Sequence, residues 1–478
     1  MPKLIIAAFF ALLLFILYMG TQGASKPVHG SLVERPYVAV AACDAPASVK
    51  LGADYVATCE HSDDAIRSAL DSASCLQSCT IMLSKGTFKI SAPGVSTDIN
   101  GERNITIEGQ GQATNVVLHN PNGVTGGNNY GFNFQWTCDC GQVTIGGFAL
   151  KAAPAEGKDV GSGLAFWQFG GSTPVNRLHL HDIVVYSSWQ AGPIQWSIVI
   201  HSLYGSILDR ISARPGVGAY TGSAPILVDT EASGTRVNDY NGVGGELRVT
   251  GRENIVDSPF LTGGGRILVG ESGAGTIINN PVLKGPSTLA FWNSSGEPTH
   301  IYGGAMTRTM EGKPNVTFGT PAGNLSGAVF HGTVMATGGF VTVNLSATQN
   351  MAILAFEGVK FVTQGIGTIE SYPVHVQGAG TLGILRFRDV SIDGTNETYG
   401  LAEVINGANV DDMQVIGLDA RNTNGRGWPL FVAQYGGTID RLYTRQIRAR
   451  NDSGTQVLFA GPIAASDRQD EVLVGMMP

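Results

Sequence analysis

Short runs in which apolar and polar residues alternate recur along most of this chain, each closing on a Gly, Asn or Asp before the next begins. They read NITIEGQG from Asn104, VTIGGFALKA from Val143, LHLHDIVVYS from Leu178 and SILDRISAR from Ser206. The phrase returns as NIVDSPFLTG from Asn254, TIINNPVLKG from Thr276, HIYGGAMTRT from His300, AVFHGTVMAT from Ala328 and AILAFEGVKFVT from Ala352, then as GILRFRDVSIDG from Gly383, MQVIGLDARN from Met413 and DRLYTRQIRAR from Asp440. Starts lie mostly 22 to 39 residues apart, and the longer gap after Ser206 predicts a degenerate copy over Thr235 to Arg248. A period of two marks a strand with one buried face, and its regular return marks a solenoid. The Gly, Asn or Asp corner supplies the positive-φ bend that turns one strand into the next face. About 13 rungs at ~4.8 Å would make a column ~60 Å long. A sandwich would place hairpin dipeptides between equal strands. Asn122-Gly123, Asn241-Gly242, Asn406-Gly407 and Asn424-Gly425 fall irregularly between phrases instead and read as loop tips.

One stretch breaks this period. After Ser62, Asp63 and Asp64, the residues Ile66, Ala69, Leu70 and Ala73 recur at i, i+3, i+4 and i+7, which predicts an amphipathic helix near 62–74. Thr80 to Leu83 and Thr87 to Ile90 follow as short strands around Lys85-Gly86. A helix with one apolar stripe, beside strands too short to form a sheet alone, needs the end of a larger apolar body to cover.

This block, with ADYV from Ala53, DDAIRSAL, KGTFKI and ITIEGQG, resembles the opening of pectate-lyase-like proteins. The resemblance implies an all-β, right-handed parallel β-helix of the pectin-lyase-like fold whose first rung is covered by the helix. It spans about sixty of the 478 residues. It speaks for architecture rather than reaction, because that family holds lyases, hydrolases, phage spikes and non-catalytic surface proteins.

The ends of the chain suggest how it is deployed. Residues 4–20 are uncharged and apolar behind a short basic start, so 1–23 reads as a signal peptide cleaved before Ala24 or as an uncleaved membrane anchor. Either way the remainder is secreted or held at the cell surface. Residues 24–52 read as an extended lead-in and 53–473 as one β-helix domain.

Composition fits that picture. Glycine makes up 65 of 478 residues, nearly twice its usual share of about 7%, as corners require. The net charge of −8 and the lack of a basic run exclude a nucleic-acid partner. Cys43, Cys59, Cys75, Cys79, Cys138 and Cys140 cluster at one end of an exported chain and read as disulfides, with all 15 pairings open. They would staple the rung most prone to fray. Sequons at Asn104, Asn293, Asn315, Asn324, Asn344, Asn396 and Asn451 mark a glycoprotein if the source glycosylates.

Candidate chemistry gathers in the early rungs, where steps of 39 and 35 residues predict loops that wall a groove. Trp136, Trp167, Trp189, Trp196 and Tyr220 offer flat faces to sugar rings, or equally pack the column's corners. In LHLHDIVV, inward leucines put His179 and His181 on the outer face. Aligning Ile183 with Ile211 sets His181 beside Asp209 and Asp182 beside Arg210, with Arg214 close behind. His181, Asp209, Arg210 and Arg214 are therefore the candidate catalytic group, although such residues also make ordinary ladder pairs. Asp411 and Asp412 alternate in direction and do not aim at one bond, and Asp419 lies one phrase on. The family's polygalacturonase-like segments Gly-His-Gly and Arg-Ile-Lys are absent. No metal site or cofactor is read, and calcium has no acidic cluster to support it. Two functions compete: a protein that binds and cleaves an extracellular polysaccharide or surface glycan as a lyase or hydrolase, and a non-catalytic adhesive rod.

Overall fold

The computed structural model describes residues 37–72, 75–91, 94–119, 130–138, 140–152, 162–168, 177–187, 197–215, 226–228, 232–270, 272–294, 296–307, 315–319, 323–336, 341–363, 372–394, 400–421, 429–451 and 458–475. Among them the strands pair in parallel and form a 27-stranded sheet, here sheet A, and a 14-stranded sheet, here sheet B. The chain passes through A, then B, and back to A one rung higher. This is the right-handed parallel β-helix expected from the repeat, and sheet B's 14 strands match the expected rung number closely.

Inward side chains stack in register because identical faces meet at every turn. Leu180, Leu208, Val237, Val256, Ile278 and Ile301 form one such column in sheet A. It continues through Phe330, Phe356 and Phe387, whose rings lie 5.3 and 5.2 Å apart in near-parallel stacks. All of these are buried. Burying a side chain of this size is worth about 1.5–3 kcal/mol, and the register repeats it rung after rung. The degenerate copy is present as strands Arg236–Asn238, Asn241–Val243 and Glu246–Val249.

Sheet A bends once per rung at a single residue in the left-handed region. Asp182, Arg210, Asp239, Ser258 and Asn280 occupy this corner with φ of 53°, 53°, 52°, 52° and 50°, and Gly303, Gly332 and Gly358 take it higher up. A non-glycine residue there costs roughly 1–2 kcal/mol. The ladder offsets it, because the corner N–H still donates upward: Arg210 to the Asn238 carbonyl at 3.0 Å, Asp239 to Asp257 at 3.0 Å. The corner therefore throws polar side chains outward without breaking the hydrogen-bond ladder.

Helix packs against the first strands. Ala47–Leu51 forms a short helix, α1, and Asp63–Leu70 forms α2, within the expected 62–74, with Ile66, Ala69 and Leu70 buried. Ala73 lies outside the described residues. The lead-in expected over 24–52 is more ordered than an extended segment where it is described. Its strand Val38–Ala41 joins sheet A by pairing Val38 with Ile81. The cysteines sit at disulfide distance as Cys43 with Cys59, Cys75 with Cys79 and Cys138 with Cys140, with Cα separations of 5.1, 4.6 and 5.3 Å. All three pairs lie at the capped end, as expected.

Two sequons are corrected by burial. Asn293 donates to the Gly327 carbonyl at 3.0 Å, and Asn315 to those of Gly285 and Ser287 at 3.3 and 3.0 Å, both from inside the column. The folded rungs have no room for a glycan on either.

Candidate functional site

The outer face of sheet A carries a ladder of polar side chains, and its lower rungs hold the densest group. The strand Leu178–Ser187 supplies His179 and His181 below the corner and Asp182 at it. The next rung aligns Asp209 with His181, as expected from the sequence. The side chains, however, pair differently. His179 Nε2 meets Asp209 Oδ2 at 2.7 Å, and Asn238 donates to Asp209 Oδ1 at 2.5 Å. His181 turns the other way, with Nδ1 3.0 Å from Asp182 Oδ2 and Nε2 3.2 Å from Glu108 Oε2.

Glu108 and His181 are two rungs apart, because Gly146 occupies the register position between them. A glycine is needed there. A Cβ on Gly146 would fall 2.5 Å from the His181 ring, and one on Gly147 would fall 2.5 Å from Glu108 Oε1. The Gly-Gly pair clears the space through which the two side chains meet. Beside it the ladder of the Asn104–His119 strand slips register between Glu108 and Gly111, a bulge that opens the strand next to the carboxyl.

Electrostatics differ among the three carboxyls. Arg210 donates to Asp182 through Nε and Nη2, both at 2.7 Å, and holds that carboxyl down to about 2. The same bond raises Arg210. Burial pushes Asp209 up, but the hydrogen bonds from Asn238 and His179 outweigh it and leave the carboxyl below its ordinary range. Glu108 is the exception: burial pushes it up, Asp182 adds to this, and the opposing pull of His181 and His179 does not cancel the rise. Of the three, Glu108 is the one disposed to keep a proton.

The remaining candidates fall elsewhere. Arg214 pairs in register with Tyr186 beyond the corner, on the other limb of sheet A. Trp136 is wholly buried inside the column, tilted against Phe166, and so corrects its expected place in a groove. Trp167 lies on the outer face of sheet B, with Tyr130 edge-on at 6.0 Å and His201 at 4.9 Å. Trp189, Trp196 and Tyr220 lie outside the described residues, so the aromatic groove has no described wall on sheet A. Asp412 accepts from Gln414 at 2.8 Å, Asp411 from Asn409 at 2.8 Å, and Asp419 pairs with Arg421 at 2.8 Å. Each of these contacts joins residues two apart on one strand. Among the described residues no group of three or more metal-ligating side chains gathers.

Glu108 and the bridging role of Asp182 were not anticipated. Their one signal in the sequence is the pair Gly146-Gly147 in the middle of an otherwise apolar alternation, which marks a close approach.

No protein-family model matches the chain, and no curated protein matches it. Solved structures similar in fold include the A-module of the mannuronan C-5 epimerase AlgE6 from Azotobacter vinelandii, at 13% identity, covering 88% of this chain and 96% of that one, with a TM-score of 0.25. The catalytic unit of a GH87 α-1,3-glucanase from Streptomyces thermodiastaticus matches at 14% identity over 94% and 70%, TM-score 0.26. A PL6 family alginate lyase, AlyGC, matches at 10% identity over 85% and 88%, TM-score 0.21. The fold assignment stands on the parallel register itself. No helix of the described residues is long and apolar enough to cross a membrane, and residues 4–20, read as signal or anchor, lie outside them.

Proposed function

We propose that this is an exported β-helix protein that binds an extracellular polysaccharide along the outer face of sheet A. The observation that carries the reading is the polar ladder. His181, Asp209, Asn238, Asp257 and Asn279 follow one another in register, one rung every ~4.8 Å. An extended sugar chain laid along the column meets a fresh donor or acceptor at each step. Asn279 donates to Asp257 Oδ1 at 2.5 Å, leaving its own Oδ1 to face hydroxyl groups, while Asp257 Oδ2 faces Arg236 Nε at 3.7 Å. Support for export comes from the N-terminal segment and the clustered cysteine pairs.

Binding is tested by affinity electrophoresis against neutral and uronate polymers, comparing the wild type with an Asp257→Leu/Asn279→Leu double variant. Each hydrogen bond lost is worth about 1 kcal/mol, so retention should weaken about tenfold or more. Equal retention by the double variant takes the ladder out of the reading. If no polymer is retained by the wild type, the chain is an adhesive or structural rod.

A further inference from the structure

The geometry points to Glu108 and His181 as an acid–base pair that hydrolyses a glycosidic bond of the chain held on sheet A, with Asp182 and Arg210 as positioning residues. This rests on the polysaccharide reading above and adds a chemical step to it.

The protons of this group can be counted from its contacts. Arg210 grips Asp182 through two hydrogen bonds of 2.7 Å. Asp182 Oδ2 stands 3.0 Å from His181 Nδ1, so that nitrogen carries a hydrogen and donates it. The other ring nitrogen faces Glu108 Oε2 at 3.2 Å. A bare lone pair facing a carboxylate would be repelled, so a second proton lies between them. It belongs either to a neutral glutamic acid or to an imidazolium beside a carboxylate. With Arg210 balancing Asp182, the group is neutral overall and holds one transferable proton.

Other contacts on this face, such as Asp209 with Asn238 and Asp257 with Asn279, join adjacent rungs. The Glu108–His181 contact skips a rung through the gap at Gly146, and a plain ladder pair needs no such gap. Both side chains remain partly open, 28% for Glu108 and 18% for His181, so a ligand oxygen can approach. Burial, which favours the protonated carboxyl of Glu108, supports its role as donor.

In the step, the Glu108 carboxyl passes its proton to the glycosidic oxygen. The bond from that oxygen to the anomeric carbon breaks, and its electron pair stays on the oxygen, which leaves as an alcohol. A solvent water adds to the anomeric carbon and gives its surplus proton to His181 Nε2. Glu108 is by then a carboxylate, and the pair again holds one shared proton. One water is consumed per bond cut, and no other reactant is needed.

The full chain is incubated with each polymer that affinity electrophoresis shows it to retain, and new reducing ends are counted. Cutting is expected, with oxygen from labelled water in the new reducing end. Glu108→Gln should retain polymer like the wild type and cut 10²- to 10⁴-fold more slowly. Asp182→Asn should cut about tenfold more slowly or worse with an altered pH profile, which a merely structural role would not produce. A retained polymer left uncut, an unsaturated product, or full activity in Glu108→Gln overturns the step. Should no polymer be retained, the binding reading fails by itself, and nitrogen NMR of the imidazoles decides the pair. A His181 with Nδ1 protonated, whose titration changes in Glu108→Gln, upholds the shared proton. A His181 indifferent to that substitution overturns it.

Discussion

The two outer faces of this column are built from the same rungs and have opposite fates. On sheet B, Ala165, Val199 and Leu227 point outward from the column yet are buried as a small second core beside Tyr130 and Trp167. Leu268 and Ala290 are equally inaccessible. One carboxylate of sheet B is closed off with them. Glu246, its side chain 6% exposed, binds Arg248 at 2.9 Å and Arg266 at 3.3 Å, and both guanidiniums lie within 6 Å of the Trp292 ring centre. On sheet A the corresponding positions hold His179, Asp209, Asn238 and Arg386, partly open along the ladder. A covered face must satisfy each polar group locally, whereas an open one can leave donors and acceptors for a ligand. Function is accordingly sought on sheet A, and stability outside the column on sheet B.

Charge insertion is the strongest way to break this comparison. Val199→Asp places an unpaired carboxylate on the covered face and should cost about 3 kcal/mol, read as a large loss in denaturant midpoint. The matching change on the open face, Ile277→Asp, should stay within about 0.5 kcal/mol. Similar losses at both positions would show that the faces are not distinct.

Glu246→Gln sharpens the point with a smaller effect. It leaves two guanidiniums without their buried counter-charge, and because these are about one-third exposed, the expected cost is about 2 kcal/mol with polymer retention unchanged. Weakened retention would move the binding face to sheet B.

The smallest effect is acid dependence. Asp182 is held down to about 2, chiefly by the hydrogen bond from Arg210, so the folded state prefers its carboxylate. The stability this supplies is complete above the ordinary carboxylate range and disappears as pH falls through about 2. Both partners are half exposed, and salt should weaken the effect further. Comparing the wild type with Asp182→Asn by thermal melts from pH 5 to 2 should show the two converging as pH falls. A difference that grows on acidification would refute the assignment.

The periodicities of the sequence settled the parallel column, a helix within 62–74 and the pairing of His181's rung with that of Asp209. All of these follow from local periodicity and from a register that a one-residue slip would turn inside out. They could not say which way a side chain leans once it leaves the sheet. His181 reaches back past Gly146 to Glu108, 73 positions earlier in the sequence, rather than forward to Asp209. Nor could they tell a buried Trp136 from an open one, since an inward aromatic and an outward one obey the same alternation. These outcomes depend on the empty volume left by particular glycines and on which outer face becomes covered, and only the stacked rungs together define those.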